Sequence, residues 1–143
     1  MGRELSKLLS QLKEGLEQKE EALFAYLYGS SLEGEPFRDI DLAIYPDSAK
    51  VPKERELSYE LQLSADLYYE LGFPIDIKVL NYAPLSFQMR VLKTGRVLKD
   101  DLGKRIAYIE EVSSKYSDYS VFKRSFEEEL QNIIKENIDG LSR

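Results

Sequence analysis

The chain contains no cysteine, no histidine and no tryptophan. Without cysteine there is no disulfide, no thiolate nucleophile and no zinc–thiolate site. Without histidine, the commonest general base and the commonest transition-metal ligand are missing as well. Any chemistry must therefore run on carboxylates, hydroxyls, lysine or arginine. A metal bound by such a chain would be a hard cation with oxygen ligands, Mg²⁺ or Mn²⁺ rather than zinc. Long hydrophobic runs are also lacking: the apolar stretches are strand-sized, well short of the roughly 20 residues that cross a bilayer. The segment from Met1 to Leu12 mixes charges with leucines at helical spacing, unlike a signal peptide, so a cytoplasmic protein with no membrane contact is expected. Basic charge is in deficit, with 20 Lys and Arg against 26 Asp and Glu. That balance argues against extended nucleic-acid binding, which depends on cations laid along phosphates.

What remains is a chain of 143 residues, 43% hydrophobic and 32% charged, the profile of one soluble globular unit. The expectation is a single domain over 1–143, with a core over about 1–100 and a C-terminal helical segment over about 101–139. Leu5, Leu8, Leu9, Leu12 and Leu16 recur at helical spacing and predict a helix from residue 4 to about 20. Ala22 to Tyr28 is a short apolar, aromatic run that stops at Gly29-Ser30, the pattern of a buried strand entering a turn. Gly34 and Pro36 mark residues 31–38 as a loop or a single helical turn. A second strand, Asp39 to Tyr45, is halted by Pro46 and Asp47. Lys53 to Gly72 reads as a helix with Leu57, Leu61, Ala65 and Leu67 or Tyr68 turned inward, stopped by Gly72 and Pro74. Ile75 to Leu80 forms a third strand, Pro84 starts a helix through about Lys93, and Gly95 ends it. Arg96 to Lys99 is a short strand, and Asp101 to about Asp139 is helical, with a break expected near Ser117-Asp118. Helices interleaved with four strands predict an α/β (α+β) fold, a small mixed sheet with helices packed on it.

The second strand carries residues that strands avoid. In Asp39-Ile40-Asp41-Leu42-Ala43-Ile44, alternation sends Ile40, Leu42 and Ile44 to one face and both aspartates to the other. Their Cα atoms lie about 6.6 Å apart, two strand steps of ~3.3 Å. Carboxylates converging to ~5 Å repel by roughly 3 kcal/mol at an effective dielectric near 20. Aspartate is also a poor strand former. Asp76 repeats the pattern in Ile75-Asp76-Ile77-Lys78-Val79, so a pairing of the two strands would set three carboxylates together. A lone Asp in a strand ordinarily sits on a solvated face, and Asp-x-Asp alone matches by chance. The pair plus a third Asp, behind a strand–Gly–Ser turn, points instead to a nest for two divalent ions, the arrangement that clamps both oxygens of an in-line phosphoryl displacement. Gly29 allows close backbone approach, and Ser30 is placed to open a turn whose N–H groups and hydroxyl hold phosphate.

Tyr28-Gly29-Ser30-Ser31-Leu32-Glu33-Gly34 followed by Arg38-Asp39-Ile40-Asp41-Leu42 closely resembles the signature of the DNA polymerase β-like nucleotidyltransferase superfamily, and within it the minimal nucleotidyltransferase (MntA-type antitoxin) group. The resemblance covers nearly the whole chain. It implies that Gly29 and Ser30 bind the triphosphate and that Asp39 and Asp41 ligate two Mg²⁺ ions, with Mn²⁺ as an alternative. It further implies that Asp76 ligates the ion beside the acceptor hydroxyl and serves as its base. The implied reaction moves AMP from ATP, or the corresponding group from another nucleoside triphosphate, onto a hydroxyl. For the MntA type, that hydroxyl belongs to a tyrosine of a HEPN-type toxin, and the protein acts as an antitoxin. Two positions depart from the pattern: Glu33 stands where the family has an Arg, and Arg38 where it has a Ser. Arg38 or Lys78 is positioned to replace the missing cation. Glu33 also keeps open a catalytically weak or inactive module that neutralises a partner by binding alone. A transferase acting on a small molecule or on RNA is a further alternative. Arg90, Lys93 and Arg96 could form a basic patch that meets a phosphate or a partner, but a solvated helix face is the better explanation for them.

Overall fold

The computed structural model describes residues 2–29, 40–115 and 128–136. Chain contacts divide the molecule into two compact units, Met1–Asp101 and Leu102–Arg143. The first unit begins with helix α1 (Gly2–Glu17) and strands β1 (Ala22–Tyr28) and β2 (Ile40–Pro46). A 3₁₀ turn over Lys53–Arg55 leads into α2 (Glu56–Leu71), followed by β3 (Ile75–Val79), α3 (Leu85–Thr94) and β4 (Arg96–Lys99). The second unit contains α4 (Leu102–Lys115) and a helix over 128–136, here α5. Within it, Arg105 of α4 lies 4.0 Å from Glu129 of α5. Burial raises the Glu129 carboxyl above the ordinary glutamate range, and Arg105 opposes that rise.

The four strands form one sheet in the order β3-β2-β1-β4. β1 pairs antiparallel with both β2 and β4, whereas β2 and β3 run parallel. A parallel pair needs a crossover, and α2 provides it. Alternation along the strands divides the sheet cleanly. Ala25, Leu27, Ile40, Leu42, Ile44, Ile75, Ile77 and Val79 join Leu12 and Leu16 of α1 and Tyr59, Leu63 and Leu67 of α2 in one core. On the opposite face, Phe24 stacks on its cross-strand neighbour Tyr45 at 4.6 Å between ring centroids, and Tyr26 meets Phe24 edge-on at 6.2 Å. The Phe24–Tyr45 pair crosses from β1 to β2 and favours their register, whereas Phe24 and Tyr26 pack along β1 itself.

The edge of β3 is covered rather than left open. Ser64 Oγ donates to the Ile75 carbonyl at 2.6 Å, and the Val79 N–H donates to Glu60 at 2.8 Å, both partners coming from α2. Side chains thus take the hydrogen bonds that a further strand would otherwise claim. α1 has no basic residue in its last turn. Lys99 of β4 fills that role, its buried ammonium donating to the carbonyls of Leu16 and Lys19 at 2.9 and 3.0 Å, where the helix dipole favours a cation.

The strand and helix expectations hold with shifts of a few residues. β2 continues through Pro46, and the break expected near Ser117-Asp118 lies outside the described residues. α2 differs in a way that matters. Its inward residues are Tyr59, Leu63 and Leu67. Leu57, Leu61, Ala65 and Tyr68, expected inside apart from the Leu67 option, are exposed. The helix carries two apolar stripes, so periodicity alone could not choose between them. On the buried stripe the Tyr59 hydroxyl also donates to Glu21 at 2.7 Å and ties α2 to the start of β1. α2 ends at Gly72 in the left-handed conformation, φ 70°, with its N–H on the Tyr68 carbonyl, the usual glycine stop.

Candidate active site

The site is set by strand register. In the parallel β2–β3 pair, Asp41 stands directly opposite Asp76. Neighbouring strands lie about 4.8 Å apart, and paired residues send their side chains to the same face. Both carboxylates line one cleft of about 690 Å³ on the face away from the core, together with Tyr28 and Gly29 at the end of β1 and Lys78 of β3. The volume falls within the range of small-molecule sites. α3 closes the remaining side. Phe87, Arg90 and Thr94, at spacings of three and four, present one helical face to the cleft.

Gly29 is required by geometry. Its φ is 76°, and a β-carbon there would run into the Asp41 carboxylate. The glycine therefore adopts this left-handed backbone at the end of β1 without a side chain to clash with the Asp41 carboxylate lying against it. Gly95, expected only to end α3, serves a similar purpose at its own position. Its backbone is extended, and a β-carbon would collide with the Val91 carbonyl and lie 3.1 Å from that of Leu27.

The aromatic wall is ordered. Tyr28 meets Phe87 edge-on at 5.2 Å between centroids, and the Arg90 guanidinium lies 5.6 Å from the Phe87 centroid. That is cation–π range. Burial, then the charges of Asp41 and Asp76, push the Tyr28 hydroxyl far above the ordinary phenol range, with Arg90 opposing them. Tyr28 thus stays protonated through neutral pH and is excluded as a base. Among the described residues no group of three or more metal-binding side chains occurs. Asp41 and Asp76 supply two carboxylates in register. In a chain with no imidazole and no thiolate, that donor set fits a hard divalent cation.

Of the residues singled out in the sequence, the structure brings Gly29, Asp41 and Asp76 together, with Lys78 among them. Ser30, Asp39, Glu33 and Arg38 lie outside the described residues. Arg90 belongs to the cleft. Tyr28, Phe87 and Thr94 carried no functional signal of their own. The spacing of Phe87, Arg90 and Thr94 along α3 is the pattern that could have grouped them.

Comparison with known proteins places this architecture. The sequence model of the family described as "Polymerase beta, Nucleotidyltransferase" matches residues 10–101, well over half of the chain. The chain belongs to the polymerase beta nucleotidyltransferase family. Three solved structures show the same fold. One is a toxin–antitoxin complex with AMP-PNP (TM-score 0.59, 19% identity, 85% of this chain and 98% of that one). Another is an MntA–HepT toxin–antitoxin complex (0.55, 16%, 92% and 99%). A third is a Shewanella oneidensis complex of a tri-AMPylated HEPN toxin with its MNT antitoxin (0.55, 19%, 85% and 98%). No protein of curated function matches the sequence at a significant level. No helix among the described residues is long and apolar enough to cross a membrane.

Proposed function

We propose that the chain is a minimal nucleotidyltransferase that moves AMP from ATP onto a tyrosine hydroxyl of a HEPN-type toxin and thereby acts as its antitoxin. The observation that carries this reading is the register of β2 and β3, which sets Asp41 opposite Asp76 at the mouth of the Gly29 turn. The fold shared with toxin–antitoxin complexes, one holding AMP-PNP and one an AMPylated HEPN toxin, supports the choice of nucleotide and partner.

In this reading Gly29 and Ser30 hold the triphosphate, and Asp39, Asp41 and Asp76 hold two Mg²⁺ ions. What the ions supply when bound is neutralisation of phosphate charge and a more acidic acceptor hydroxyl. The chain's own contribution is positioning. Lys78 and Arg90 stand on the cleft walls where the nucleotide's negative charge must lie. Tyr28 and Phe87 line one side of the cleft with their rings. The acceptor oxygen bonds to the α-phosphorus as the bond from that phosphorus to the bridging oxygen breaks. Pyrophosphate leaves with the electron pair, and Asp76 takes the hydroxyl proton.

Where a HEPN-type protein is encoded beside this chain, labelled ATP, Mg²⁺ and that neighbour provide the test. Label should pass to the partner and be lost with Asp41→Asn or Asp76→Asn. A second reading, neutralisation by binding alone, is favoured by Glu33 at the position of the family's phosphate-facing Arg. Complete neutralisation by the doubly substituted protein would select it. A titration in which Mn²⁺ fails to bind in the presence of a non-hydrolysable ATP analogue would sink the metal assignment.

A further inference from the structure

An amphipathic helix packed on a sheet ordinarily turns one apolar stripe inward and a polar face outward. α2 does not. With Tyr59, Leu63 and Leu67 buried beneath it, the helix still exposes Leu57 (66%), Leu61 (64%), Tyr68 (56%) and Tyr69 (91%). Leu57, Leu61, Ala65 and Tyr68 follow one another at spacings of four, four and three, a continuous stripe along the helix. The stripe borders a second cleft, about 950 Å³, whose floor runs from Leu61 and Tyr68 past Pro74 and Ile75 to Asp76. Asp76 also lines the cleft that holds Asp41 and Gly29. One carboxylate therefore stands where an apolar groove opens into the candidate active site.

We propose that this groove is the docking surface for the acceptor polypeptide, which lays an apolar segment against Leu57, Leu61, Tyr68 and Tyr69 and delivers its hydroxyl at Asp76. This rests on the reading of the chain as a protein-directed nucleotidyltransferase. An apolar patch of this kind on a soluble unit marks an interaction surface, and its continuity with the site sets what the occupant must carry to its end. Charge sets the occupant's character. From Glu56 to Ile77 the sequence holds Glu56, Glu60, Asp66, Glu70 and Asp76 and no Lys or Arg; Lys19 pairs with Glu70 and lies near Asp66, and Lys78 acts on Glu60, so acidic charge remains in excess. Glu56 and Glu60 run one helical ridge away from the stripe, on the β3 side. The occupant is thus an apolar segment flanked by Lys or Arg. A second copy of this chain would set acid against acid, which such interfaces avoid.

The test uses the 143-residue chain, that HEPN-type neighbour as the probe, and variants at three positions. Leu61→Ser and Tyr69→Ser change exposed side chains and leave the core intact. The double variant should bind the neighbour at least about tenfold more weakly, a loss ordinary for removing two contact residues. It should still bind a non-hydrolysable ATP analogue with unchanged affinity. Asp76→Asn should bind the neighbour normally and fail to transfer. Wild-type affinity should also fall as salt rises, because charges at the rim are screened. A double variant that binds and labels the neighbour like wild type overturns the groove while leaving the transferase reading intact. A wild-type chain that neither binds nor labels the neighbour fails the transferase reading itself, and the groove assignment falls with it. Sedimentation showing self-association that Leu61→Ser abolishes would assign the face to a second copy and overturn the proposal.

Discussion

On the face of the sheet beneath α1 and α2, Leu27, Leu42, Ile44 and Ile77 are buried against other apolar side chains. On the other face, reached by stepping one residue along the same strands, Tyr28, Asp41, Asp76 and Lys78 converge on an open cleft. The first face is optimised for burial, and each side chain there contributes by leaving water. The second places two like charges side by side, an arrangement that costs stability in the protein alone. Strain of that sort is tolerated where a ligand offsets it. The two faces should therefore separate activity from stability when they are changed one at a time.

The sharpest separation is expected from Asp41→Asn. The AMP transfer proposed above should fall by at least about a hundredfold, the scale of removing one preorganised charge-stabilising group. The stability of the metal-free protein to chemical denaturation should change by no more than about 1 kcal/mol, because Asp41 lies on the face away from the apolar core. Leu42→Ala should do the reverse. Leu42 is fully buried, so unfolding should become easier by about 2–5 kcal/mol, while the protein that remains folded retains its transfer rate. Gly29→Ala joins the two faces. The positive φ costs about 1 kcal/mol or more for any side chain, and the added methyl displaces Asp41. Stability and transfer should both drop, and a crystal structure should show the Asp41 carboxylate moved.

The smallest effect concerns Glu60, where α2 covers the β3 edge. Burial holds its carboxyl above the ordinary glutamate value, while the Val79 N–H and Lys78 pull it down. A raised folded pKa means the native state holds the proton more tightly than the unfolded chain. The resulting stability is present in full below the unfolded value and is lost as pH rises through the folded one. Glu60→Gln should flatten that stretch of the stability–pH curve, with a change at neutral pH within about 0.5 kcal/mol. Denaturation midpoints measured from acid to neutral pH would check the sign. A steeper curve in the variant would contradict it.

Much of this was legible beforehand because strands speak with a period of two. Ala22–Tyr28 was readable to the residue from its apolar run and Gly29 stop. The alternation of Ile75, Ile77 and Val79 with Asp76 and Lys78 gave both the strand and its faces. α2 was legible as a helix but not in its orientation, because Leu57-Leu61-Ala65-Tyr68 and Tyr59-Leu63-Leu67 are both apolar series. Lys99 gave no sign of capping α1, since its partners lie 83 and 80 residues away in sequence. Arg90 looked like one cation in a solvated patch until α3 was placed against β1, where Phe87 meets Tyr28.

The sequence by itself determined the chemistry available: oxygen ligands only, a glycine turn, and aspartates on the polar side of apolar strands. It could do so because composition and local periodicity depend on near neighbours alone. Only the tertiary structure decided that β3 lies parallel to β2 with Asp76 opposite Asp41. It alone turned Arg90 into the cleft and left the second stripe of α2 uncovered. Those outcomes depend on contacts between residues distant in the chain, where the burial of one stripe or one register excludes its competitor.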